Sequence, residues 1–125
     1  VDAFREGGGA AKPMYLKVQL SYDPSGDEAL YGAWRQWRSN VFNSVLMPEL
    51  RTPEQFEAAA EDVTPSDMSP AVLISRDTGQ FIEWLSEYAA MGFEQIILHN
   101  VNREQRQFIE DFGAKVIPAL RPVSV

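Results

Sequence analysis

The sequence predicts an α/β protein built around a parallel sheet. Two observations support this fold class: the segments 14–21, 71–75 and 95–100 have the patterns of strands, and amphipathic helical segments separate them. A helix between two strands returns the chain to the starting end of the sheet, so consecutive strands pair in parallel through right-handed crossovers. We therefore expect three parallel strands that are adjacent in the order of the chain.

The first strand alternates strictly between apolar and polar side chains. Its apolar residues are Met14, Leu16, Val18 and Leu20, and its polar or amphipathic residues are Tyr15, Lys17, Gln19 and Ser21. Period-two alternation is typical of a strand with two different faces. Leu16 and Val18 are expected to face the helices, which places Lys17 and Gln19 on the opposite face.

A long helix is predicted after the first strand. Ser25 and Glu28 have the spacing of a capping box, and an apolar stripe then runs from Leu30 through Val45 and ends before Pro48. Bulky side chains on this stripe and on the stripes of the later helices are the predicted core: Trp34, Trp37, Phe81, Leu85, Phe108 and Phe112.

Three further helix starts follow from cap signals. Thr52 and Gln55 predict a capping box at the start of a short helix. Asp77 is the predicted N-cap of the helix after the second strand, and Asn102 with Gln105 is the predicted cap of the last helix. The continuous apolar runs in the second and third strands predict strands buried on both faces.

Composition excludes several classes of function. The formal net charge is -7, and clustered Lys and Arg are lacking, so we expect neither nucleic acid nor a membrane surface as a partner. The chain has no cysteine, which rules out a disulfide, a thiolate nucleophile or a cysteine-based zinc site, and we expect no metal. No apolar run reaches the length of a membrane helix, and we expect a cytoplasmic protein.

Two architectures remain open on periodicity alone. Three parallel strands with open edges fit a doubly wound sheet with helices on both faces, or a piece of a closed barrel with helices on one face. Lys17, Gln19 and Ser21 on one face of the first strand suit a barrel lumen under a ligand site. They suit a solvated edge strand equally well.

A series of short motifs runs in register from Ala71 to Arg121. It consists of Ile74-Ser75-Arg76-Asp77, Phe81-Ile82-Glu83-Trp84-Leu85, Met91-Gly92-Phe93-Glu94-Gln95, Ile97-Leu98-His99-Asn100-Val101, Ile117-Pro118 and Leu120-Arg121. This series resembles the C-terminal signature of the bacterial-luciferase-like flavin and F420-dependent oxidoreductases. The block from Trp34 to Phe42 is similar to one branch, the probable non-F420 flavinoid oxidoreductases.

The resemblance implies a particular architecture and activity. Residues 1–125 are expected to be the C-terminal portion, about three βα units, of a (β/α)8 TIM barrel whose N-terminal half is absent, with the helices on one face of the sheet. The implied activity is hydride transfer or monooxygenation of a small organic substrate with FMN or F420 as cofactor. A homo-oligomer, or association with the missing N-terminal half, is expected. The alternative function is a non-catalytic half-barrel that serves as an oligomerisation or binding module.

Candidate site residues lie at the carboxyl ends of the strands and on the predicted lumen face, because barrel enzymes place their chemistry there. The residues expected to contact cofactor or substrate are Lys17, Gln19, Ser21, Ser75, Arg76, His99 and Asn100. For His99, the one histidine of the chain, the alternative is a structural packing role. Trp34 and Trp37 are interpreted as core rather than as a flavin-stacking pair. No catalytic residue is assigned, since the cofactor carries the hydride chemistry.

Overall fold

A computed structural model describes residues 1–42 and 47–121. The strands are β1 (Tyr15–Tyr22), β2 (Leu73–Ser75) and β3 (Gln95–Asn100). The α-helices are α1 (Asp2–Phe4), α2 (Gly26–Trp37), α3 (Pro53–Ala60), α4 (Thr78–Ala90), α5 (Gln105–Asp111) and α6 (Ile117–Leu120). Shorter helical turns cover Arg5–Gly9, Arg38–Asn40, Met47–Glu49, Pro65–Met68 and Phe112–Val116. Strands and helices alternate as the α/β prediction requires.

The three strands are parallel, as predicted, but their order in the sheet is β2-β1-β3 rather than the order of the chain. β3 pairs with β1 from Tyr15↔Gln95 to Leu20↔Asn100. β2 has three residues and pairs with the last three of β1. The predicted order was wrong because α4 carries the chain past β1 and brings β3 to the other edge of that strand. A hydrophobic pattern identifies a strand but does not specify which edge it joins.

The two faces of the sheet differ in their cover. We call the face of Leu16, Val18, Leu20, Tyr22, Ile96 and Leu98 the outer face, and the face of Tyr15, Lys17, Gln19, Ser21, Ile97 and His99 the open face. The outer face packs against α4 and the chain after α5. On the open face, the Ser21 hydroxyl donates a 2.6 Å hydrogen bond to the Ala29 carbonyl in α2.

The expectation of helices on one face only was therefore wrong. The residues of α2 that are buried are Ala29, Gly32 and Ala33, and these small side chains let the helix axis come close to the sheet. α2 covers the carboxyl end of the open face and leaves its amino end exposed, where Lys17 and Tyr15 lie. The placement of Lys17 and Gln19 opposite Leu16 and Val18 is confirmed.

The main core lies between the outer face and the helices. Its buried members are Val18, Leu20, Tyr22, Phe81, Leu85, Phe112 and Val116. Aromatic rings pack edge-on at its centre: Tyr22 lies 6.1 Å from Phe81 and 5.4 Å from Phe112 between ring centroids. Phe81, Leu85 and Phe112 are thus buried as predicted, while Phe108 is partly buried beside Phe112.

We call residues 23–72, the part of the chain between β1 and β2, the excursion. It packs around a second, smaller core. Its buried members are Ala33, Met68, Val72 and Val101, with Trp34 and Trp37 partly buried against them. The Trp34 indole N–H donates a 2.6 Å hydrogen bond to the Val63 carbonyl. Both tryptophans therefore belong to the core, although neither is fully buried.

Most of the predicted caps are present. Thr52 and Gln55 form the predicted capping box, Asp77 caps α4, and the Ser25 side chain accepts from the Glu28 amide. The N-cap of α5 is Glu104, whose side chain accepts from the Gln107 amide, rather than Asn102, whose Oδ1 accepts from the Glu104 amide.

The helix after β1 is shorter than predicted. It ends at Trp37 and continues as a 3-10 turn to Asn40. Val45, the predicted end of its stripe, lies outside the described residues. Across residues 1–42 and 47–121, no helix has the length and apolar character needed to cross a membrane.

Candidate functional site

The open face brings three of the predicted contact residues together. The strand register places Lys17 beside Ile97 and Gln19 beside His99. Lys17 is exposed, Ile97 is 47% exposed, and Gln19 and His99 are half-buried. A cation, an amide and an imidazole therefore line one surface with an apolar side chain between them. Such a surface suits a ligand that is partly apolar and carries hydrogen-bonding groups.

His99 has a hydrogen-bonding atom that the described chain does not use. Its Nδ1 is buried and has no partner within residues 1–42 and 47–121. The ring packs edge-on with Trp37 at the end of α2, with centroids 5.1 Å apart and planes at 84°. Buried polar atoms are nearly always paired. The unpaired Nδ1 therefore distinguishes His99 from the other polar residues of the open face.

Two predicted contact residues have structural hydrogen bonds instead. Ser21 is fully buried, and its hydroxyl is bonded to Ala29. Asn100 is 5% exposed, and its Oδ1 accepts from the Tyr22 amide at 3.4 Å while its Nδ2 donates to the Glu104 carbonyl at 3.1 Å. Both side chains join neighbouring elements at the carboxyl ends of β1 and β3.

Ser75 and Arg76 lie away from the other candidates. The Ser75 Oγ accepts from the Asp77 amide at 3.0 Å, in the turn that starts α4. Arg76 is exposed, and its side chain lies beside Gly26 at the start of α2. Because β1 separates β2 from β3, the structure does not bring these two residues next to His99.

Sequence reasoning missed a polar crevice at the carboxyl ends of β1 and β3. It has a volume of about 510 Å³ and is lined by Asp23, Glu28, Gly32, Arg35, Gln36, Asn102, Arg103 and Glu104. The chain continues from β1 into α2 on the open face and from β3 into α5 on the outer face. Ligands of open α/β sheets bind where neighbouring strands connect to opposite faces in this way. This crevice could have been located from the sequence only with the strand order β2-β1-β3, which was not predicted.

The wall of this crevice depends on Asn102. Its Nδ2 donates to the Glu28 carbonyl at 3.3 Å, and its Oδ1 accepts from the Glu104 amide at 3.3 Å. A Cβ atom at Gly32 would lie 2.5 Å from the Asn102 amide group. Glycine at position 32 is therefore what allows the loop after β3 to contact α2.

Tyr22 and Asp111 form a polar pair beside the main core. The Tyr22 phenol donates a hydrogen bond to the Asp111 carboxylate, which also accepts from the Gln107 amide at 3.0 Å. Burial and this hydrogen bond raise the pKa of the Tyr22 phenol. The hydrogen bonds from Tyr22 and Gln107 lower the pKa of the Asp111 carboxyl. The pair fixes α5 against the end of β1.

No metal centre is evident in the part of the chain that the structure describes, where no three His, Cys, Asp or Glu side chains converge. The polar chemistry of the open face therefore consists of hydrogen bonding and the charge of Lys17.

Comparison with known proteins identifies a consistent class of relatives, although no family model matches the chain. An F420-dependent glucose-6-phosphate dehydrogenase of Intrasporangium calvum is 24% identical over 106 residues, which cover 85% of this chain and 31% of the relative. The enzyme of the same name from Mycobacterium tuberculosis is 25% identical over 127 aligned positions, covering 97% of this chain and 38% of the relative. The chain is a relative of F420-dependent oxidoreductases.

This relationship confirms the F420 side of the resemblance noted in the sequence. The chain spans about a third of the length of these curated relatives. A solved structure of an F420-dependent secondary alcohol dehydrogenase, in complex with an F420-acetone adduct, matches the fold with a TM-score of 0.71. That match has 20% sequence identity and covers 97% of this chain and 37% of the other.

The residues of the open face fit part of a site for a ring cofactor. Lys17, Gln19 and the half-buried imidazole of His99 supply hydrogen-bonding groups, and Ile97 supplies an exposed apolar contact. A deazaflavin ring needs both kinds of contact. These residues would hold one side of such a ring, and the remainder of its pocket would come from other residues.

Proposed function

We propose that the chain forms the last βα units of a (β/α)8-barrel oxidoreductase that uses F420 to transfer hydride to or from a small organic substrate. The agreement of two comparisons supports this function most strongly. F420-dependent enzymes match by sequence over 85–97% of this chain and by fold over 97% of it. Monooxygenation and FMN are the less favoured forms of the same proposal, because the printed names of these relatives specify F420 and dehydrogenation.

The packing of β1, β3 and their helices supports the barrel, whereas the strand order β2-β1-β3 and the cover of the open face by α2 match the doubly wound alternative. β1 and β3 are long, parallel neighbours, and α4 and α5 both pack on their outer face, as the outer helices of a barrel do. The open face would then line the lumen. α2 covers only the carboxyl end of that face, where barrel enzymes carry the loops that form the active site. The excursion would thus form part of the mouth of the barrel.

The proposed roles follow from position and pairing. Lys17, Gln19 and His99 would contact the cofactor or the substrate, because they lie on the open face and keep free hydrogen-bonding capacity. Ser21 and Asn100 would support the site from behind, since their side chains bond to neighbouring elements. Bound F420 would supply the ring that carries the hydride. The chain's own contribution would be to orient that ring and to exclude water.

A second candidate function is a non-catalytic module that binds another protein segment. An apolar groove of about 780 Å³ runs along the outer face beside β3, and its lining includes Leu98, Phe108, Ile109 and Ile117. Within the described residues, no strand pairs with the far edge of β3. In the barrel these two surfaces would be covered by the N-terminal βα units. In a binding module they would be covered by a separate partner or by a second copy.

The deciding experiment measures cofactor binding to the full-length protein in the cytoplasmic fraction, where we expect it. We expect F420 to bind with a change in its fluorescence, and glucose-6-phosphate or a secondary alcohol to reduce it. Lys17→Ala should weaken cofactor or substrate binding, whereas Lys115→Ala, at an exposed site after α5, should not. A protein that binds neither F420 nor FMN, yet associates through the groove, would favour the binding module.

A further inference from the structure

The unpaired nitrogen of His99 indicates which atom of its ring faces a ligand. A neutral imidazole has one N–H donor and one bare acceptor nitrogen, and the pairing of the two nitrogens decides which is which. In His99, Nδ1 is sealed from solvent with no hydrogen-bond partner in the described chain. The residue as a whole is half-buried, so its exposed surface belongs to atoms other than Nδ1.

A buried N–H without an acceptor is rarer in proteins than a buried acceptor without a donor. Keeping the proton off Nδ1 avoids an unpaired donor in the space between α2 and β3. The proton then resides on Nε2, where solvent or a ligand can accept it. The surroundings of the ring therefore favour one of its two tautomers.

Trp37 packs against the ring of His99. Its indole stands edge-on to the imidazole at 5.1 Å, and it is held there by the small core under α2. Gln19 lies beside His99 on the neighbouring strand, on the open face. Nδ1 is thus buried in a ring that packs on Trp37, while the residue itself lies on the open face.

We infer that Trp37 is a positioning residue that fixes His99 as its Nε2–H tautomer, so that His99 donates a hydrogen bond to an oxygen acceptor bound over the open face. The acceptor is a carbonyl, carboxylate or phosphate oxygen, from the cofactor or from the substrate. The tautomer stands independently of the proposed function. The identification of the acceptor with a group on F420 or its substrate rests on that proposed function.

The test uses full-length protein labelled with ¹⁵N-histidine, and the His99→Gln variant identifies the signals of His99. In mildly alkaline buffer, long-range ¹H–¹⁵N spectra should show a bare Nδ1 and a protonated Nε2. Trp37→Phe, which keeps an aromatic wall, should preserve that pattern. Trp37→Leu should produce a mixture of both tautomers, and Trp34→Leu, in the same small core but bonded to Val63, should leave the tautomer unchanged.

A proton on Nδ1 in the wild-type protein, directed at the Trp37 ring, overturns the inference, and this outcome does not depend on whether Trp37→Leu folds. Adding F420 alone, and then substrate alone, distinguishes the two sources of the acceptor by which one shifts the Nε2 proton signal. His99→Leu should weaken binding of that molecule on the order of tenfold, and His99→Gln, which retains a donor, should weaken it less. A protein with the Nε2–H tautomer that binds no F420 would contradict the proposed function and leave the tautomer intact.

Discussion

The Tyr22 phenol and the Asp111 carboxylate join the carboxyl end of β1 to the last turn of α5. Their positions are far apart in the chain, and the Tyr22 ring packs against both Phe81 and Phe112. The bond thus attaches the helix after β3 to the central strand of the sheet. Both groups titrate, so this contact makes stability depend on pH in a direction that can be worked out.

Stability should fall at both ends of the pH range. The pKa of Asp111 is lowered in the folded state, so its contribution is present above the unfolded carboxyl pKa of about 3.9 and is lost as pH falls through the folded value. The pKa of Tyr22 is raised, so its contribution is present below about pH 10 and is lost as pH rises further. Tyr22→Phe should lower the thermal midpoint at neutral pH, and the difference in midpoint from the wild type should shrink in acid. Tyr31→Phe, at an exposed site, is the control, and equal pH profiles for wild type and Tyr22→Phe would contradict the assignment.

Phe81→Ala should be among the most damaging core substitutions. Phe81 is fully buried and contacts the rings of Tyr22, Trp84 and Phe112, so its removal should cost about 3–5 kcal/mol of unfolding free energy. Met91→Ala serves as the apolar control, because Met91 is 44% exposed, is not among the residues that line the groove, and should change stability by about 0.5 kcal/mol or less. Denaturant unfolding of both variants provides the measurement. Equal losses of unfolding free energy in the two variants would mean that Phe81 does not belong to the core.

Gly32→Ala should disturb the polar crevice. The new Cβ would collide with the Asn102 amide group at 2.5 Å, and overpacking of this kind costs about 1–3 kcal/mol. Gly113→Ala is the matched control, since a Cβ there meets no atom within 4 Å in the described structure. Asn102→Ala should restore part of the stability lost by Gly32→Ala, as a double-mutant cycle would show. Additive losses would mean that the two residues do not touch.

The chain by itself should not behave as a compact monomer. The groove on the outer face and the far edge of β3 present apolar surface and backbone groups that pair with nothing in the described residues, and such surfaces promote association. Light scattering at low micromolar concentration should detect oligomers. Under the proposed barrel architecture, addition of a separately produced N-terminal half of the full-length protein should reduce that association. A cooperative, monomeric unfolding transition of the chain alone would refute the need for a covering partner.

Local features of this fold could be predicted from the sequence, and long-range ones could not. The alternation around Val18 identified both faces of β1, and Thr52 and Asp77 marked helix starts, because these signals act over a few residues. The position of β3 beside β1 depends on a crossover over the whole of α4, which no local pattern encodes. The turn at Trp37 was missed because the apolar stripe continues beyond the residue where the helix ends.

The same difference between local and long-range features applies to the candidate site. The common face of Lys17 and Gln19 was predictable from the alternation of β1, whereas the register that pairs Gln19 with His99 was not, because the sequence placed β2 between β1 and β3. The internal bonds of Ser21 and Asn100 were not, because their partners, the Ala29 and Glu104 carbonyls, come from elements whose packing is tertiary. A polar residue at a strand end can support a site or contact a ligand. Only its hydrogen-bond partners distinguish the two.

The excursion has a consequence for how such a chain can diversify. β1, β3, α4 and α5 form a continuous core that contains no residue of 23–72, whereas the excursion has its own core around Met68 and Val72. Its sequence can therefore change while the main core under Lys17 and Gln19 stays intact, whereas the surroundings of His99 depend on Trp37, which belongs to the excursion. Under the proposed function, selection for a new substrate would act mainly on this excursion.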